Sequence, residues 1–219
     1  MLNWIPVSQA IHEDMAVYRD NPEKRPVIEI SREFAVHGMH ESTLHLPLHT
    51  GTHIDYPLHA LPGGKCSSDY QLFPAEFEAL VVDVTALAPV SIGLDEVRDL
   101  PLTGVEAVFI KTRRTLLRRF DPDFPWLSGA GADWLAQFPL RFVGIDQLGI
   151  ERNQPDHHTH CRLLGRDILI IEGLDLTPIA GGRRRFRAFS LGIRGVEAEP
   201  LLVFAAPVQG SEQAVLASR

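Results

Sequence analysis

His49-Thr50-Gly51-Thr52-His53-Ile54-Asp55-Tyr56-Pro57-Leu58-His59 packs three histidines and a carboxylate into eleven residues. All four of these side chains stand at odd positions. Pro47, Gly51 and Pro57, with the β-branched Thr50, Thr52 and Ile54, favour an extended chain. Alternate residues of an extended chain face opposite ways, so His49, His53, Asp55 and His59 are expected on one face. The i, i+4 spacing of His49 and His53 also suits a zinc-binding helix, but proline, glycine and threonine in the same run work against one.

A lone histidine would be read as packing or surface. The cluster is instead read as the core of a metal site. Imidazole and carboxylate suit zinc, manganese or iron, and without thiolates the set is unlike a closed structural zinc site, so positions stay open for water and substrate.

The pattern H-x-G-T-H-x-D-x-P-x-H resembles the signature of the cyclase family, which includes bacterial kynurenine formamidases and isatin hydrolases. The resemblance extends, more weakly, over most of the chain. It implies a metal-dependent hydrolase of small amides or lactams with a swivelling β/β/α fold. It also implies a second half to the site, because the family pairs a helical histidine with a glutamate twelve residues later, here His160 and Glu172. On that footing His49, His53 and Asp55 would hold one ion, and Asp55, His160 and Glu172 a second, with Asp55 bridging. Two zinc or manganese ions are expected per subunit. His59 is left for proton transfer. The first expected reaction is the arylformamidase one, N-formylkynurenine to kynurenine and formate. The alternatives are a cyclic amide, imide or lactone substrate, or a metal-holding protein without chemistry, against which the presence of His59 speaks. Relatives also tend to be oligomers, so a homodimer or homotetramer is expected.

Tyr18 stands where relatives often carry an aromatic residue, in a region that covers the family's substrate pocket. The following Arg19-Asp20-Asn21-Pro22 replaces a Pro-Gly-Asp common among relatives. That departure bears on the substrate.

The rest of the chain sets bounds. With 219 residues, 45% hydrophobic and 22% charged, and no linker-like tract, residues 1–219 are expected to form one soluble domain. No apolar run approaches bilayer length. The start, Met1-Leu2-Asn3-Trp4-Ile5-Pro6, lacks a basic region ahead of an apolar one, so no secretory signal is expected and the cytoplasm is the expected compartment. A net charge of −7 speaks against nucleic acid as a partner. Cys66 and Cys161 are read as free thiols. The one basic cluster, Arg183-Arg184-Arg185-Phe186-Arg187, reads as a solvated loop or an edge strand kept soluble by charge.

Strands are expected at Val27 to Ile30, Thr43 to Leu48, Ala79 to Val84, Val105 to Lys111, Arg141 to Asp146 and Asp167 to Gly173. Helices are expected at Leu94 to Leu100 and at Ser128 to Phe138, the latter capped by Ser128 and stopped by Pro139. A third is expected over Asp156 to Gly165, opened by Asp156 and carrying His157, His158 and His160. His157 lies one turn before His160 and is a secondary candidate for the site. The sum is an α/β domain with a mixed β-sheet and flanking helices. Glu172 ends an apolar strand, where a carboxylate needs a positive partner. Trp4, Trp126 and Trp134 are read as core, or as lining a pocket or interface.

Overall fold

In the computed structural model, residues 3–72, 74–87 and 90–208 are described; Met1 and Leu2 of the opening stretch lie outside them. In chain order the strands begin with β1 (Ile5–Pro6), β2 (Val27–Arg32), β3 (Glu41–His45) and β4 (His53–Asp55). Then come β5 (Ala75–Asp83), β6 (Ser91–Ile92), β7 (Ala107–Lys111) and β8 (Trp126–Leu127). The last four are β9 (Phe142–Ile145), β10 (Leu169–Glu172), β11 (Gly182–Ser190) and β12 (Ala198–Pro207). The helices are short: α1 (Phe34–His37), α2 (Leu94–Val97), α3 (Gly129–Leu135) and α4 (His158–Leu164).

The expected mixed sheet is present, and it closes on itself. Strands β5, β7, β9 and β10 run parallel, whereas β4, β12 and β11 complete the ring with antiparallel pairings back to β5. Closure depends on β12, whose first residues pair with β4 and whose last residues pair with β1. Apolar runs such as Val108-Phe109-Ile110 and Leu169-Ile170-Ile171 are fully covered, as strands buried on both faces require. Phe186 is packed 5.8 Å from Phe77 and 4.8 Å from Phe109, filling the core with aromatic rings in stacked and edge-on contacts. Ser128 caps α3 as expected, accepting from the Gly131 N–H at 3.2 Å.

Four expectations need correction. The Arg183–Arg187 run is neither a loop nor an edge: β11 lies between β5 and β12. Arg183, Arg185 and Arg187 alternate outward while Phe186 and Ala188 point into the core, and Arg185 and Arg187 both grip Glu76, at 2.7 and 2.8 Å. The strand expected over Thr43 to Leu48 stops at His45, where pairing with β2 ends. Asp156 does not cap α4; His157 holds that position in a left-handed conformation, φ 50°. Finally, only His53–Asp55 of the signature is strand, for reasons given below.

The β2–β3 ribbon stands apart from the barrel, with every residue of both strands exposed. Among the described residues no helix is long and apolar enough to cross a membrane. Both cysteines are free thiols.

Candidate metal centre and active site

Gly51 decides the shape of the signature. It adopts φ +70°, and a Cβ there would come within 2.7 Å of Ile11, so the chain turns where an extended run was expected. His49 therefore lies in a turn ahead of β4, and Pro57 starts a single 3-10 turn that carries His59. The expected alternation holds only for His53 and Asp55, with Ile54 between them buried in the core. The turns nevertheless return the outer histidines to the same place. The rings of His49 and His59 lie 4.2 Å apart, those of His49 and His53 5.1 Å, and those of His59 and His160 5.4 Å.

Strand register brings in the second half. Glu172 of β10 stands directly opposite His53 of β4, and cross-strand neighbours share a face, so Glu172 Oε2 reaches 3.6 Å from His53 Nε2. β10 can end there because Gly173 takes φ +66° where any Cβ would collide with the Gly51 carbonyl. The Gly173 carbonyl accepts from Thr52 Oγ1 at 2.7 Å and from Gln9 Nε2 at 2.8 Å, tying the end of β10 to the signature. From α4, His160 points its Nε2 to 3.4 Å from Glu172 Oε1 and 3.8 Å from Asp55 Oδ2.

Five side chains named from the sequence, His49, His53, Asp55, His160 and Glu172, thus converge from a turn, two strands and a helix. Asp55 is fully buried, and neither of its oxygens has a hydrogen-bond partner; nor does buried His53 Nε2. The histidine nitrogens approach Asp55 at 3.0–3.8 Å, yet none is aligned to donate. Converging lone pairs without donors are costly in a protein interior, and a cation of the borderline class removes that cost. The donor set fits such an ion. His53 is also in the right tautomer for it: Nδ1–H donates to the Gly51 carbonyl at 3.0 Å, leaving the Nε2 lone pair toward the carboxylates. The ligand-capable atoms fall into three groups, each within 4.8 Å: His49 with Asp55 and His59, His53 with Asp55 and Glu172, and Glu151 with His157 and His160. Asp55 belongs to two of them.

Electrostatics follow the same geometry. Burial alone would raise the Asp55 carboxyl; the imidazoles of His53, His49 and His59 outweigh it and hold the group well below its usual range. Burial likewise disfavours the charged form of His160, but Glu151 and Glu172 raise it far above an ordinary histidine. For His59, loss of water lowers the pKa, His49 and His160 lower it further, and Asp55 and Glu172 offset part of that. The balance favours the uncharged imidazole, the form that can accept a proton.

Two carboxylates at this site have no sequence signal comparable to the signature. Glu151, in the loop after β9, contacts His160 Nδ1 at 3.2 Å and His157 Nδ1 at 2.6 Å, and accepts from the His160 N–H at 3.2 Å. Glu197, just before β12, contacts His49 Nε2 at 3.3 Å. Both come from segments without periodicity, and only the fold brings them in. His157 lines the cleft with its side chain largely exposed. His12, His37, His40 and His45 lie exposed elsewhere. Trp4, Trp126 and Trp134 are partly buried and do not line the cleft.

The cleft over this centre has a volume of about 680 Å³ and is lined by Tyr18, Arg19, Lys24, His59 and Glu151, among others. The Cyclase family model ("Putative cyclase") matches residues 5–152. The chain belongs to the cyclase family. It is similar to the kynurenine formamidase of Bacillus cereus (strain ZK / E33L), with 27% identity over 207 residues, covering 94% of this chain and 98% of that one. A solved structure described as a potential metal-dependent hydrolase with cyclase activity is 32% identical, covers 95% of this chain and 100% of its own, and superposes with a TM-score of 0.85. Isatin hydrolase A from Labrenzia aggregata shares the fold, with a TM-score of 0.76 at 18% identity over 94% of each chain.

Proposed function

We propose that this cyclase-family chain is a metal-dependent amidohydrolase acting on the C–N bond of a small N-formyl anilide, with N-formylkynurenine the first choice of substrate. The observation that carries the reading is the set of buried, donorless atoms on His53 and Asp55, behind a cleft lined by His49, His59, His160 and Glu172. His49, His53, Asp55, His160 and Glu172 would hold the metal. Bound there, one or two ions of the zinc or manganese class supply Lewis acidity, polarising the amide carbonyl and making water acidic near neutral pH. The chain's own groups do the remainder. The Gly51 carbonyl fixes the His53 tautomer, and Glu151 steadies the His160 ring from its far side. His59 accepts the proton of the attacking water and returns it to the departing anilide nitrogen, so that amide and water become formate and a free amine. The similarity to kynurenine formamidases over almost the whole chain supports the choice of substrate.

The deciding measurement is a panel assay of zinc- and manganese-loaded protein on N-formylkynurenine, isatin, a cyclic imide and a simple lactone. N-formylkynurenine should be turned over best. A kcat/KM at least about a hundredfold higher on isatin or the lactone would remove the formamidase assignment and keep the hydrolase one.

The proposal includes a homo-oligomer and a reducing, cytoplasmic setting for a single domain. Support for the oligomer comes from the ribbon: Ile30, Phe34 and Val36 are 58, 72 and 74% exposed, and a two-stranded ribbon with a bare apolar surface is not stable by itself in water. Sedimentation at micromolar concentration should give a dimer or larger species; a monomer would end this part of the proposal.

A further inference from the structure

The mouth of the cleft carries positive charge that the hydrolytic reading does not use. Arg19 Cζ and Lys24 Nζ each lie 5.3 Å from the centroid of the Tyr18 ring. Among the described residues, neither side chain has a carboxylate or any other hydrogen-bonding partner. Arg185, Arg187, Arg141 and Lys65, in contrast, are all paired with acids. A third cation, Arg152, lines the same cleft with a buried Nε that has no partner, while its Nη1 is pinned by the Pro122 carbonyl at 2.7 Å and Asp123 at 3.2 Å.

The backbone that carries Arg19 and Lys24 is held in place. Thr50 Oγ1, inside the signature, donates to the Lys24 carbonyl at 2.7 Å, so the Lys24 backbone is fastened to the segment that carries His49 and His53. Tyr18 is wedged edge-on between Phe120 and Phe124, at 5.2 and 6.4 Å. Arg19 and Asp20 adopt φ 58° and 50°, a conformation that L-residues hold only when their surroundings impose it. Asn21 then caps the next turn by accepting from the Glu23 N–H at 3.0 Å.

Charge makes such an arrangement consequential. The chain carries −7 overall, and Glu151 and Glu172 line the cleft with Asp55 buried behind them. Within the cleft a negatively charged substrate would meet repulsion from these carboxylates and attraction at the rim, whose cations focus the local field. A cleft of about 680 Å³ also leaves room beyond an aryl amide for a side group.

We infer that Arg19 and Lys24, with Arg152 beside them, form an anion subsite at the mouth of the cleft, and that the amide this protein hydrolyses carries a carboxylate. The inference rests on the hydrolase reading for its reaction, and on the rim residues for the carboxylate. N-formylkynurenine has such a group and isatin does not.

The test uses a matched pair: a formanilide bearing a propanoate side chain, and the same compound as its uncharged primary carboxamide. The metal-loaded wild type should prefer the acid, and added salt should erode the preference, since exposed charges are screened over about 10 Å at 0.1 M. In the double variant Arg19→Gln, Lys24→Gln the acid-to-amide ratio of kcat/KM should fall at least about tenfold, through KM, as expected on losing a charge-assisted contact. Both side chains reach the cleft rim, so the variant should fold. Equal ratios in wild type and variant, or no preference in the wild type, would overturn the subsite. Calorimetry with the two aniline products reads the same ratio without turnover. Failure of the wild type to hydrolyse either compound would therefore sink the hydrolase reading alone, while an acid-to-amide affinity ratio unchanged by the substitutions would sink the subsite alone.

Discussion

Asp55→Asn should leave a folded protein that neither retains metal nor hydrolyses amides. The substitution preserves volume at a fully buried position, so packing is little disturbed. It removes the one carboxylate shared by two of the ligand groups. Losing the Lewis acid forfeits several kcal/mol of transition-state stabilisation, about three decades or more in kcat/KM. Elemental analysis and thermal melts with and without added zinc or manganese check it. The wild type should gain stability on loading, about 2.7 kcal/mol at a metal concentration a hundred times Kd, and the variant should gain none. Stoichiometric metal on the variant would remove Asp55 from the ligand set.

His59→Ala is expected to cost on the order of 10²–10⁴ in kcat while the metal stays bound. The separation matters because His59 also falls in one ligand group with His49 and Asp55. Metal content and rate measured on the same preparation distinguish the roles: metal lost in proportion to activity would make His59 a ligand and leave proton transfer to another group.

The signature was legible because composition and order alone crowd imidazoles and a carboxylate around a short apolar stretch. His160 was legible through a resemblance alone, and Glu172 through that resemblance and through its place at the end of an apolar strand. What sequence reasoning mistook was conformation: a regular extended segment would align His49, His53, Asp55 and His59, but Gly51 in a left-handed turn and Pro57 opening a 3-10 turn confine the strand to three residues. The buried strands were read well because continuous apolar runs carry their own signal, as at Val105 to Lys111. Arg183–Arg187 misled because four arginines look solvated, whereas alternation lets a central strand present Arg183, Arg185 and Arg187 to water and Phe186 to the core. Barrel closure had no signature at all, since the pairing of Ala198 with Asp55 joins segments far apart in the chain. Glu151 and Glu197 were missed for the same reason.

That last pairing has a consequence in time. During synthesis β4 emerges early, bearing an acid and an imidazole that the finished protein buries, but both of its flanking strands, β10 and β12, are made much later. Until Ala198–Pro207 has left the ribosome, the nascent chain has an open edge at the very segment that carries His53 and Asp55, and contacts of such long sequence separation form slowly. On the proposed ligand set, full metal affinity would therefore wait on β12, and a chain halted before Ala198 should bind zinc or manganese more weakly than the finished one.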